Sequence, residues 1–161
     1  MKLLIFLLLQ FTQCYQGVNV NISNKSNFCK KKTYIVDLDK DCEKCKIEFA
    51  RDIKTNIDSL TERQVYVFLC SMDESCINDV EFSQYSNDVL YLLLYKKPEL
   101  VLKTLSKYDI SLEYIREQLA NPVNDRINVK EVHELIKNID DYKEIKENLL
   151  KGIKLAIEKY N

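Results

Sequence analysis

The chain has 161 residues, 46% of them hydrophobic and 30% charged, and a formal net charge of −1. That balance supplies no basic field for a phosphate backbone, so nucleic-acid binding is not expected. Two glycines and two prolines are too few for the tight turns of an all-β fold, and an all-α protein is predicted.

Residues 1–14 join one lysine, Lys2, to an unbroken apolar run from Leu3 to Leu9. This is the pattern of a signal peptide, and the run is too short for a permanent span. Thr12 and Cys14 provide small residues for cleavage before Tyr15. The protein is therefore expected to enter the secretory pathway and to be secreted or delivered to a lysosome or vacuole. Residues 15–39 are polar and read as an irregular segment, with glycosylation expected at the sequons headed by Asn21 and Asn24. The run Thr33–Asp39 has strand character but no later partner.

From Asp41, a candidate N-cap, the pattern turns helical. Cys42, Cys45, Phe49, Ile53, Ile57 and Leu60 recur every three or four residues and form one apolar stripe. Thr61 and Gln64 have capping-box spacing for a second helix through Val65, Phe68 and Leu69. After a short link a third helix is expected to carry Ile77, Val80, Tyr85, Val89 and Leu93. Its end, Val89 to Tyr95, is apolar around nearly the whole circumference and must be covered on several sides or meet lipid. Pro98 suits the start of a fourth helix. Beyond residue 110, Ser111 is placed as the cap of a helix that ends at Asn121–Pro122. Asn128 and Glu131 form a cap before Val132, Leu135, Ile136 and Ile139. A last amphipathic helix is expected from about Asp141, with Asp140 and Asp141 in its first turn, where negative charge is favourable.

Six cysteines are present, and five remain once Cys14 leaves with the signal: Cys29, Cys42, Cys45, Cys70 and Cys76. In an oxidising compartment such a set reads as disulfides, with one odd thiol left free or used between chains. A CxxC at Cys42 and Cys45 also suits a redox centre or half a metal site. The redox reading calls for βαβ units after the motif, where only helical patterns follow, and Asp37, Asp39, Asp41 and Glu43 disfavour a thiolate. A zinc site built from Cys42, Cys45, Cys70 and Cys76 is disfavoured by the oxidising compartment. The single histidine, His133, has no identifiable catalytic partner and reads as a surface or half-buried side chain. No nucleophile elbow, phosphate loop or HExxH motif occurs, so neither an enzyme nor a cofactor or metal is expected.

The order C42-x2-C45-x24-C70-x5-C76, followed by a long apolar helix and a proline-started one, resembles the saposin-like family of saposin B-type domains. The resemblance spans about residues 40–109 and implies a four-helix leaf, followed over residues 110–161 by a pair or trio of amphipathic helices. It departs from the family pattern at the last two cysteines, whose positions hold Leu102 and, approximately, Tyr108. What the resemblance implies is an inner Cys70–Cys76 bond, with Cys29 substituting as partner for one cysteine of the CxxC. It further implies binding of lipid or a membrane surface, with Phe49, Ile53, Tyr85, Val89, Leu92, Leu93 and Leu102 facing the lipid. Loss of Lys2 with the leader leaves the chain slightly more acidic, which favours a carrier role over charge-driven lysis. The alternative is a secreted helical protein-interaction module, including a homodimer linked through the odd cysteine.

Overall fold

A computed structural model describes residues 42–123 and 126–160. The expected signal peptide, the expected strand-like run at 33–39, Cys29, the sequons at Asn21 and Asn24, and the expected cap at Asp41 lie outside the described residues. Seven α-helices follow in order: α1 (Ile47–Thr55), α2 (Glu62–Ser71), α3 (Val80–Lys96), α4 (Pro98–Lys107), α5 (Leu112–Ala120), α6 (Val129–Lys137) and α7 (Lys143–Lys159). A 3₁₀ turn, η1 (Glu74–Asn78), separates α2 from α3. No strand occurs among the described residues, and the fold is all-α.

Local chemistry explains most of the starts. Thr61 makes the full capping box: Gln64 N–H donates to Thr61 Oγ1 at 3.3 Å, and Thr61 N–H donates to Gln64 Oε1 at 3.0 Å. Pro98 occupies the first turn of α4, where its missing N–H costs nothing. Asn128 Oδ1 accepts from the N–H groups of Lys130 and Glu131.

Three expectations are corrected. Helix α1 starts at Ile47, because Cys45 has φ 57° and cannot continue a right-handed helix from Asp41. Ile77 belongs to η1, and α3 starts at Val80 behind Asp79, whose carboxylate accepts from Phe82 N–H at 3.0 Å. Asp140 and Asp141 precede α7 instead of forming its first turn, because Tyr142, at φ 58°, turns the chain immediately before Lys143.

Packing centres on α3, which is contacted by α1, α4, α5 and α6. Its Phe82, Val89, Leu90, Leu93 and Leu94 share one buried cluster with Ile53, Phe68, Leu102, Ile115, Val132 and Ile153. The expected division of the chain near residue 109 therefore has no counterpart in the packing. The described residues all belong to one compact unit. Buried Asn87 makes the crossing polar link: its Nδ2 donates to Gln118 O at 2.6 Å and to Asn121 O at 3.2 Å, and its Oδ1 accepts from Val123 N–H at 3.1 Å. One turn on, Tyr91 Oη donates to Leu119 O. Two α3 side chains thus satisfy carbonyls that the end of α5 would leave orphaned.

Helix α7 lies closest to α5, and Gly152 permits that approach. A Cβ at this position would sit 2.5 Å from Arg116 O and 3.1 Å from Leu119 Cβ. Gly152→Ala should lower the free energy of unfolding by about 1–3 kcal/mol despite alanine's better helix propensity, because the clash is with backbone. Urea denaturation followed by far-UV circular dichroism checks this; an unchanged or raised midpoint would show that α7 simply slides outward.

Candidate functional site

The four described cysteines meet where the chain enters the bundle. Residues 42–46 form a turn, and Cys45 N–H donates to Ser71 O at 3.0 Å. Cys42 bonds to Cys70 and Cys45 to Cys76, with Cα separations of 5.6 and 5.4 Å. The turn is therefore pinned twice, once to the end of α2 and once to η1. The Cys70–Cys76 bond implied by the resemblance is not formed: Cys76 faces the core with no exposed surface, and each partner is met by a different cysteine of the CxxC. In the chain-entropy account, cross-links spanning 28 and 31 residues are each worth roughly 3–4 kcal/mol.

Polar groups close the same junction. Lys44 Nζ donates to Cys70 O at 3.0 Å and pairs with Asp73 at 3.3 Å. Asp73 accepts from Ser75 N–H at 3.0 Å and from Ser75 Oγ at 2.8 Å, bonds that, with Lys44, hold its carboxyl below the ordinary aspartate range. The Cys42–Cys45 bond through which a CxxC redox centre cycles is absent, since both sulfurs are bonded elsewhere. No group of three or more His, Cys, Asp or Glu among the described residues could hold a metal ion.

The residues expected to face lipid are placed differently. Ile53, Val89, Leu93 and Leu102 have no exposed surface, while Phe49, Tyr85 and Leu92 are half-buried. The physical reason is the trio of C-terminal helices, of which α5 and α6 pack on α3 and α6 and α7 on α4. Lys54 Nζ sits 5.1 Å from the Tyr85 ring centroid and pairs with Asp88 at 3.0 Å, which gives that edge of α3 a charged border. His133 is 13% exposed, with Nδ1 2.9 Å from Glu134 Oε1 and a buried Nε2 that has no partner among the described residues. No helix among these residues is long and apolar enough to cross a membrane.

One constellation was not anticipated. Glu62, in the first turn of α2, receives Lys103 at 2.9 Å, Lys107, and the Tyr108 hydroxyl at 3.1 Å from the end of α4. The Tyr108 ring also lies 4.5 Å, centroid to centroid, from Tyr66. Tyr108 stands about where the resemblance puts the final cysteine, so a polar and aromatic clasp joins α2 to α4 there. Sequence separations of 41 to 46 residues hide this clasp from any local pattern. No family model, curated protein or solved structure matches the chain.

The bonds from Lys107 and Lys103 hold the Glu62 carboxyl at about 2, against 4.5 for an ordinary glutamate. A depressed folded-state pKa adds stability that is present above the unfolded value and lost as pH falls toward the folded one. Wild-type protein should therefore lose stability between about pH 4.5 and 2 through this group. Glu62→Gln should remove that component and lower stability at neutral pH on the order of 1 kcal/mol, since both lysines are 55% exposed and screened. Urea midpoints across this range, compared between the two proteins, measure it; identical pH profiles would contradict the assignment.

Proposed function

We propose that this chain is a non-enzymatic, disulfide-stapled helical interaction protein of an oxidising compartment, reached through the secretory pathway. The observation that carries the reading is the interlocked pairing of Cys42 with Cys70 and Cys45 with Cys76, which spends both sulfurs of the CxxC on holding a chain entry in place. Such bonds persist outside the reducing cytosol, and they rigidify a surface. On the reading that cleaves the leader after Cys14, this pairing leaves Cys29 as the odd cysteine of the mature chain, available to a second copy.

A second reading, the lipid-binding saposin-like protein, draws support from Ile77 and Val80, 69% and 62% exposed beside the Cys45–Cys76 staple. Taking acyl chains along the predicted stripe would, however, expose Ile53, Val89, Leu93 and Leu102. At about 1.5–3 kcal/mol for each such side chain, opening costs about as much as a whole domain's stability. The closed interaction protein is favoured on that magnitude.

Two measurements separate the readings. On non-reducing electrophoresis of the secreted protein, a disulfide-linked dimer should appear and should vanish in Cys29→Ser, while the two internal bonds persist in peptide mapping. A monomer with no free thiol would count against the dimer. In vesicle co-sedimentation from about pH 4.5 to 7, the protein should stay in the supernatant, because its apolar stripes are closed. Association with extraction of lipid at any pH in that range would replace the interaction reading with the lipid-binding one.

A further inference from the structure

The elbow between α3 and α4 faces the elbow between α6 and α7 across an open cleft. Two adjoining hollows of about 460 Å³ each make up this cleft, and they share Glu99, Leu100, Asn138 and Ile139. Leu100 and Ile139, both half-buried, supply apolar lining common to the two hollows, and Leu135 adds an exposed apolar edge. Charge is sorted along the cleft. One hollow carries Glu99, Asp140 and Asp141, and its only lysine, Lys103, is held by Glu62. The other carries Lys96 and Lys97, with Glu99 on the border common to both. The carboxylates of Glu99, Asp140 and Asp141 have no ion pair or hydrogen bond among the described residues. Lys97 Nζ makes one hydrogen bond, to Asp58 O at 3.1 Å, and keeps donors to spare.

We propose that this cleft docks a polypeptide segment of a partner protein that carries basic residues at one end, a bulky apolar anchor in the middle and acidic residues at the other. The assignment rests on reading the chain as an interaction protein and gives that reading a site. Charge complementarity selects the occupant: a segment of a single sign gains at one end and is repelled at the other, whereas a dipolar segment gains at both. The apolar middle fits a side chain such as Leu or Phe, the kind of anchor that supplies most of an interface's energy. An acyl chain running onward would have to displace Val101 and Leu102, next to Leu100 in α4, which are fully buried in the core.

The test uses the full secreted chain and fluorescence anisotropy with four labelled peptides. The first has two lysines, a Leu-Leu-Phe centre and two glutamates; the others replace glutamates by lysines, lysines by glutamates, or the apolar centre by serines. The dipolar peptide should bind most tightly, and its affinity should weaken with salt. Its dissociation constant should rise about tenfold in Asp140→Asn/Asp141→Asn and in Lys96→Glu, both at exposed positions where the fold is not at stake. Leu135→Asp should weaken binding by a similar factor, with far-UV circular dichroism unchanged in all three. Equal affinity for the all-lysine or all-glutamate peptide would overturn the proposal, as would unchanged binding in the variants. Displacement of the peptide by phosphatidylcholine vesicles would overturn it too, and would assign the cleft to a lipid headgroup. Failure of the dipolar peptide to bind at all sinks the cleft assignment alone, since the interaction reading is decided separately by the Cys29 dimer.

Discussion

The structure depends on one constraint: the second half of α3, from Val89 to Tyr95, is apolar on nearly every side. A helix of that kind cannot lie on a surface, so it must be wrapped. Four helices contact α3: α1, α4, α5 and α6. Leu93 and Val89 become buried as surely as Leu90 and Leu94 do, although they project at different angles around the axis. The same constraint explains why residues beyond 110 are not an appendage. Without α5 and α6, part of the circumference of α3 would face water, and the Asn87 and Tyr91 donors would lose the carbonyls of Gln118, Leu119 and Asn121.

Covalent and non-covalent restraints divide the molecule between them. The two disulfides act locally, on the entry turn, the end of α2 and η1. The far end of α2–α4 packing is held by Glu62 with Lys103, Lys107 and Tyr108. The C-terminal helices depend on close packing, as at Gly152, and on the carbonyl caps from α3. The energies differ in kind as well as place. Disulfides act on the unfolded chain, whereas the Glu62 clasp is electrostatic and partly screened. Acid would weaken the clasp, and the Asp73 contacts at the staple junction with it, but would leave the disulfides themselves intact.

How much of this was legible follows from which signals are local. Thr61 with Gln64, Pro98 and Asn128 carry their meaning within four residues, and each marks the predicted boundary. The apolar stripes gave the right helices but not their covering, because a stripe reads the same whether it meets lipid or another helix. Disulfide pairing is invisible in spacing, since four cysteines allow three connectivities. The two left-handed residues were hidden for another reason. Glycine or asparagine advertises a positive φ, while Cys45 and Tyr142 do not, so α1 and α7 were each extended too far toward the N-terminus. The cleft, the Asn87 cap and the Glu62 clasp all join residues more than 30 apart, and no window along the chain contains them.

Those two residues also connect fold to function. A non-glycine side chain at positive φ costs about 1–2 kcal/mol and persists only where its surroundings over-determine it. At Cys45 the determinants are the bond to Cys76 and the hydrogen bond to Ser71 O. At Tyr142 they lie in the first turn of α7, where Lys146 N–H donates to Tyr142 O at 2.9 Å and Lys146 Nζ reaches Ile139 O. A regular helix start at Asp141 would avoid the strain, but it would put Asp140 and Asp141 against the helix's own N–H groups. The strained turn instead leaves both carboxylates unpaired at the edge of the cleft. Strain at Cys45 thus accompanies the staple, whereas strain at Tyr142 keeps Asp140 and Asp141 out of the first turn of α7. That asymmetry is why the docking proposed above is placed at the α6–α7 elbow and not at the CxxC.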